Sequence, residues 1–268
     1  HTVGTLALLV GMLTLGTALP HGIRGLGGVL PWQGAIFAAS VLAVIAGFGI
    51  LALGDGPFLT RAVSPKPIRA AAVLRAFRIP AFRGAAFGYF GHMWELYAYW
   101  TLVPFLIVIA AGGAEALAPA AVSRFSFLVI GAGTLGCVLG GIVSHRIGSA
   151  RVAAVALAAS GACCLLWPLT GGWPAALRLG LLVTWGIAVV ADSPQFSSLS
   201  GKACPPEALG SALAIQNAIG FAITTGAIAL ATGLLPTWGA EVSLLLLPGP
   251  VLGLIGMRRL VLAPVPKI

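Results

Sequence analysis

The densest run of chemically capable side chains in this sequence lies between residues 89 and 100: Tyr89, His92, Trp94, Glu95, Tyr97, Tyr99 and Trp100, including all three tyrosines of the protein. His92, Glu95 and Tyr99 stand at i, i+3 and i+7, so at about 100° per residue they share one face of a helix. Gly88 and Gly91 leave room there for a second backbone to approach. An acid, an imidazole and a phenol in one row can pass a proton or bind a polar solute. Two readings are open. In the first, Glu95 is a proton-coupling or solute-contacting carboxylate that His92 modulates or hydrogen-bonds; in the second, the Glu and His satisfy each other as glue between helices. Tyr99 and Trp100 offer ring faces to a flat solute, a use that competes with packing and interfacial anchoring.

Further candidates lie toward the C-terminus. In Ala191-Asp-Ser-Pro-Gln-Phe196, Pro194 removes a backbone donor and kinks a helix, freeing a carbonyl near residue 190 for an ion, water or Ser hydroxyl. Asp192 and Gln195 then read as gating residues near one membrane face, or as a helix cap beside Lys202. Gln216 and Asn217 can each donate and accept, to a polar solute or in interhelical hydrogen bonds of roughly 0.6 kcal/mol. The four cysteines (Cys137, Cys163, Cys164, Cys204) lack C-x-x-C spacing and read as small apolar residues rather than a metal or redox site. Neither a metal nor a cofactor is expected.

The elements that must carry these groups follow from composition. Of 268 residues, 59% are hydrophobic and 8% charged, with a mean hydropathy of +1.05, which excludes a water-soluble globule. The apolar runs are long and unbroken, which also excludes an outer-membrane β-barrel with its alternating strands. An all-α membrane protein is left. About 158 apolar residues, at roughly 20 per span, supply eight transmembrane helices. The runs bounded by Pro, Gly and charge are 2–19, 32–53, 85–111, 126–144, 152–169, 176–196, 211–235 and 242–257. Counting about 1.5 Å per residue from Ala85 puts Glu95 roughly 15 Å deep, at the bilayer midplane, where an ionised acid costs about 2.5–3.5 kcal/mol.

Alternating the connections puts twelve of the fifteen Lys and Arg on one side, leaving only Arg24, Arg124 and Arg178 on the other. The positive-inside rule makes the twelve cytoplasmic, with both termini inside, and accounts for the net charge of +9 without nucleic acid as a partner. The chain divides into a two-span bundle (1–53), a basic Pro-rich linker (54–83) and a six-span bundle (84–268). No cleavable leader precedes the first apolar run, and a chain that opens at His1 inside such a run reads as processed, truncated or incompletely sequenced.

Two helices, a basic loop and six helices resemble part of the major facilitator superfamily, whose members join two six-helix halves through such a loop. Gly11-Met-Leu-Thr-Leu-Gly-Thr-Ala-Leu-Pro20, Gly54-Asp-Gly-Pro57 and above all Gly141-Ile-Val-Ser-His-Arg-Ile-Gly148 look like family sequence. The last keeps Gly141, Arg146 and Gly148 of the family's loop motif but has His145 where Asp is usual and Ser149 where a basic residue is common. The resemblance implies the last two helices of the N-terminal half followed by a complete C-terminal half. It further implies a secondary transporter working by alternating access in a bacterial inner (plasma) membrane.

The sequence has no Walker motif, so an ion gradient, with protons as the coupling ion, is the expected energy source. Its partners would be the bilayer, protons and a small solute, neutral or cationic since no basic residue lies in mid-membrane. Two alternatives stand beside this: a non-transporting fragment or a half that needs a partner chain, and an intramembrane enzyme, against which no H-E-x-x-H or G-x-S-x-G occurs.

Overall fold

A computed structural model of the chain describes residues 2–27, 31–53 and 75–263, and every regular element among them is helical. The linker expected at 54–83 falls outside the described residues up to 74. The helices are α1 (Thr2–Gly27), α2 (Trp32–Leu53), α3 (Pro80–Ala111), α4 (Pro119–Gly131), α5 (Gly133–Ile147), α6 (Ser149–Leu166), α7 (Ala175–Ala191), α8 (Ser193–Ala203), α9 (Leu209–Trp238) and α10 (Pro248–Leu262). Short 3₁₀ segments follow α6 and α9. Helix α3 starts five residues before the expected boundary because Pro80 suits a first helical position, where its missing N–H costs no bond.

Among the described residues seven helical stretches are long and apolar enough to cross a membrane. Helices α4 and α5 form one of them and α7 and α8 another, and the last runs 54 residues from Leu209 to Leu262. The seventh and eighth expected spans are thus joined without an open loop: Gly239, at φ +55, starts a 3₁₀ segment that leads directly toward α10. The polarity of the molecule is inverted relative to a water-soluble protein. Large apolar side chains face outward (Leu13 is 70% exposed, Phe37 72%, Leu252 63%), whereas His92, Glu95, Asp192, Gln195 and Gln216 are buried. That distribution suits helices whose backbone bonds are satisfied internally and whose outer faces meet hydrocarbon.

Helix α3 runs through the middle, packed by α10, α9, α8, α4 and α7. Helix α1 packs on α4 and α5, while α2 lies mainly against α1 with most of its described side chains exposed. Small residues set the close approaches. The stripe Gly133, Gly136, Gly140 seats α5 on α7, and a Cβ at Gly136 would fall 2.1 Å from the Ile187 carbonyl oxygen. Gly91 and Gly249 interlock α3 with α10; a Cβ at Gly91 would lie 2.3 Å from the Gly249 oxygen. Both contacts are to backbone that cannot rotate away. Gly91→Ala is therefore expected to destabilise by about 1–3 kcal/mol through forced separation of α3 and α10, read as a fall in the unfolding midpoint of the detergent-solubilised protein. An unchanged midpoint would show that the helices part without cost.

Arg178, one of the three cations expected on the less basic side, is held by the fold. Its guanidinium donates to the Ile109 oxygen at 2.7 Å, the Ala110 oxygen at 3.4 Å and Thr170 Oγ1 at 3.3 Å, and lies 5.2 Å from the Trp167 ring centroid. It caps the carbonyl end of α3, where a cation also meets the helix dipole favourably.

Candidate functional site

The helical stretch 175–203 breaks at Asp192. Helix α7 ends at Ala191, Pro194 sits in the first turn of α8, and the ring's missing N–H leaves the ladder incomplete. The carbonyl expected to be freed near residue 190 is taken by a thiol: Cys137 Sγ lies 3.6 Å from the Val190 oxygen. The break turns two adjacent side chains toward α3. Asp192 Oδ1 lies 2.8 Å from His92 Nδ1, and Ser193 Oγ lies 2.7 Å from His92 Nε2. The His92–Asp192 contact is a close pairing of ionisable groups whose angle is not that of a hydrogen bond, and the direction of the His92–Ser193 bond follows the imidazole tautomer. Asp192 and His92 are almost wholly buried and Ser193 half-buried, so a carboxylate, imidazole and hydroxyl form a row leading outward from the core. The imidazole lies tilted against Phe196 and Tyr89, with ring centroids at 6.0 and 6.2 Å. Gly88 makes room for Phe196, since a Cβ there would lie 2.3 Å from its ring.

Glu95 belongs to a separate network one turn further along α3. Its Oε1 accepts the Ser160 hydroxyl, Trp185 Nε1–H at 2.9 Å and the Cys164 thiol at 3.5 Å, while Trp185 Nε1 also reaches Ser160 Oγ at 3.0 Å. Tyr99 adds its ring to Trp185 at 4.5 Å between centroids and donates its hydroxyl to the Leu182 oxygen at 2.6 Å. Glu95 is 1% exposed and Tyr99 fully buried. Three donors from α6 and α7 thus hold a carboxylate brought by α3.

The residues placed on one face by spacing therefore split. His92 and Glu95 lie one helical turn apart but do not bond each other; each finds its partners on a facing helix. Trp100 packs edge-on against Tyr97 at 5.2 Å, and its buried Nε1 has no hydrogen-bond partner among the described residues. Gln216 is buried with Oε1 unpartnered, whereas Asn217 is exposed, as neighbours about 100° apart on a helix must be. Gln195 is fully buried beside the break with both amide atoms unpartnered among the described residues. The loop motif lies apart from both networks: Gly141 touches Ala7 of α1, Arg146 is exposed, and Gly148 ends α5 at φ +87, a backbone conformation that favours glycine.

Sequence reading assigns Ser193, Ser160 and Trp185 no role, and Cys164, read there as a small apolar residue, instead donates its thiol to Glu95. Ser193 carried a faint signal as a hydroxyl between an acid and a proline in an apolar run; the other three lie on α6 and α7, and no spacing relates them to α3. Among the described residues no group of three or more His, Cys, Asp or Glu is placed to hold a metal. The chain matches no protein-family model and no curated protein.

Proposed function

We propose that this protein is a membrane-embedded secondary transporter of a small solute, coupled to protons and working by alternating access. The observation that carries the reading is the Asp192–His92–Ser193 row, a titratable chain in a helical stretch long and apolar enough to span a bilayer, placed at that stretch's only Pro-induced break. Ionisable groups at membrane depth are kept where they move ions or protons, because they are otherwise costly.

The proton changes the bonding at the break. A neutral His92 carries one ring proton, so one nitrogen can donate and the other can accept. When it is protonated both nitrogens can only donate, and the Ser193 oxygen must accept. Asp192 and Ser193 flank the junction of α7 and α8, so each protonation state favours its own geometry there. Gln195 and Gln216, buried and short of partners, are the amides we assign to the solute.

In this reading α1 and α2 correspond to the last two helices of a first half, and α3 to α10 to a six-span second half of major facilitator type, with α9 and α10 crossing separately to make eight. The seating of α1 on α4 and α5 supports it, as does the exposure of α2, to which helices of the first half or of a partner chain would attach. Flux into proteoliposomes under an imposed pH gradient tests the proposal; the same flux with and without the gradient would remove proton coupling.

The row's geometry favours one other reading, because acid, imidazole and hydroxyl in this order also activate a serine toward acyl groups. Ser193 Oγ would attack the acyl carbon as its proton passes to His92 Nε2, and His92 would return that proton to the leaving group as its bond to the acyl carbon breaks. A fluorophosphonate probe decides: on the transporter reading Ser193 stays unlabelled, and labelling lost in Ser193→Ala would establish the hydrolase instead.

A further inference from the structure

An elongated groove of about 470 Å³ lies between α9 and α10 with α3 as its floor, within the range of small-molecule sites. Its lining is apolar throughout, with Phe87 and Trp94 on the floor, Ile223 and Gly226 on one wall and Leu252 on the other. The one lining side chain with a polar atom, Trp94, has its Nε1–H bonded to the Leu245 oxygen at 2.9 Å, so nothing in the groove offers a bond to a polar ligand. Its lining includes apolar side chains exposed on the outside of the bundle, Phe87 at 51% and Leu252 at 63%, which makes it accessible from hydrocarbon.

One end of the groove is basic. Helices α3 and α10 stay in contact down to their ends, Phe87 against Gly256 and Gly84 against Leu260. Arg83 stands four residues before Phe87, and Arg259 seven residues after Leu252, so both lie on the groove's side of their helices. Both are exposed, and neither pairs with an acidic residue among the described ones. From Arg83 to Trp94 is eleven residues of helix, about 16 Å, close to one leaflet of a hydrocarbon core roughly 30 Å thick. An apolar slot whose far end lies about one leaflet from two unpaired cations has the volume and polarity to take one acyl chain of a lipid.

We propose that this groove seats one acyl chain of an anionic phospholipid, whose phosphate is held by Arg83 and Arg259. A neutral lipid would leave the cations unused and a free anion would leave the apolar slot unused, whereas an anionic phospholipid uses both. The inference requires the helices to lie in a bilayer but not that the protein transports anything.

Trp94 reports occupancy directly. The full chain is reconstituted in phosphatidylcholine vesicles containing rising fractions of lipid brominated at mid-chain, either phosphatidylglycerol or phosphatidylcholine, and the Trp94 signal is taken by difference from Trp94→Phe. Half-maximal quenching is expected at about tenfold to thirtyfold less brominated phosphatidylglycerol than brominated phosphatidylcholine, from roughly 1 kcal/mol per cation near a charged lipid. The double change Arg83→Gln and Arg259→Gln is expected to erase that preference.

Gly226→Leu is expected to protect Trp94 from both lipids. A Cβ at Gly226 meets nothing within 4 Å, so the new side chain enters the groove without displacing a helix. Equal midpoints for the two lipids, or a preference that survives loss of both arginines, would overturn the proposal. The exposed Trp32, Trp173 and Trp238 separate this failure from a failure of the membrane reading: quenched by either lipid, they mark insertion, and if no tryptophan responds the bilayer placement itself falls, and the lipid site with it.

Discussion

If the protein is the proton-coupled transporter proposed above, His92→Gln is expected to remove the pH-gradient dependence of solute flux while leaving the protein folded. Glutamine keeps a polar side chain against Asp192 and Ser193 but cannot take up a proton, so the row loses its two bonding states and keeps much of its packing. Coupling energies between two sites run to about 1–3 kcal/mol, so gradient-driven uptake is expected to fall roughly 5- to 150-fold. Solute exchange without a gradient is expected to persist, because the assigned solute amides, Gln195 and Gln216, are untouched. Asp192→Asn should give a similar loss by removing the charge that steadies a protonated imidazole. Uptake across a panel of neutral and cationic solutes in proteoliposomes measures both effects. Gradient-driven uptake that survives both substitutions would take the row out of the coupling mechanism.

Glu95 is expected to behave in the opposite way. Glu95→Ala removes the acceptor that Ser160, Trp185 and Cys164 share and opens a space between α3, α6 and α7. Each buried donor left without a partner costs about 1–3 kcal/mol, and the Trp185–Ser160 bond at 3.0 Å relieves part of that, so a net loss of about 3–5 kcal/mol is expected in detergent unfolding. Glu95→Gln keeps an acceptor oxygen of the same reach and should hold gradient-driven flux within about threefold of the native protein, less than the smallest coupling effect expected at His92. A collapse of flux in Glu95→Gln with the fold intact would restore Glu95 as a coupling group and displace His92. The two substitutions thus decide which of residues 92 and 95 carries the coupling.

The two residues also show how far local spacing reaches. An interval of i, i+3 orders side chains on one helix, and that order holds: His92 and Glu95 both point into the bundle and both are buried. What the interval cannot carry is the identity of the partner across the gap. Asp192 is a hundred residues from His92 in the chain, and Ser160 and Trp185 reach Glu95 across 65 and 90 positions. The break at Pro194 was legible because proline acts on its own helix; that Cys137 occupies the carbonyl near that break was not, because Cys137 comes from another helix. The glycines of α5 meet α7, a partner that no spacing within α5 could name.

Composition alone determined that the protein is helical and suited to a bilayer, since nothing but helices or a closed barrel satisfies the backbone in hydrocarbon and the long apolar runs exclude the barrel. Prolines and glycines set where helices start and break. The tertiary structure decided which buried groups meet, that α9 and α10 join without a loop, and that two neighbours on one helix serve two different networks. The physical reason lies in the solvent. In water an amphipathic helix declares its inner face by where its apolar residues fall, but hydrocarbon outside is as apolar as the core inside, so the sequence carries little periodic signal for helix rotation. Close packing of small residues and a few buried hydrogen bonds set that rotation, and those contacts exist only once the helices are assembled.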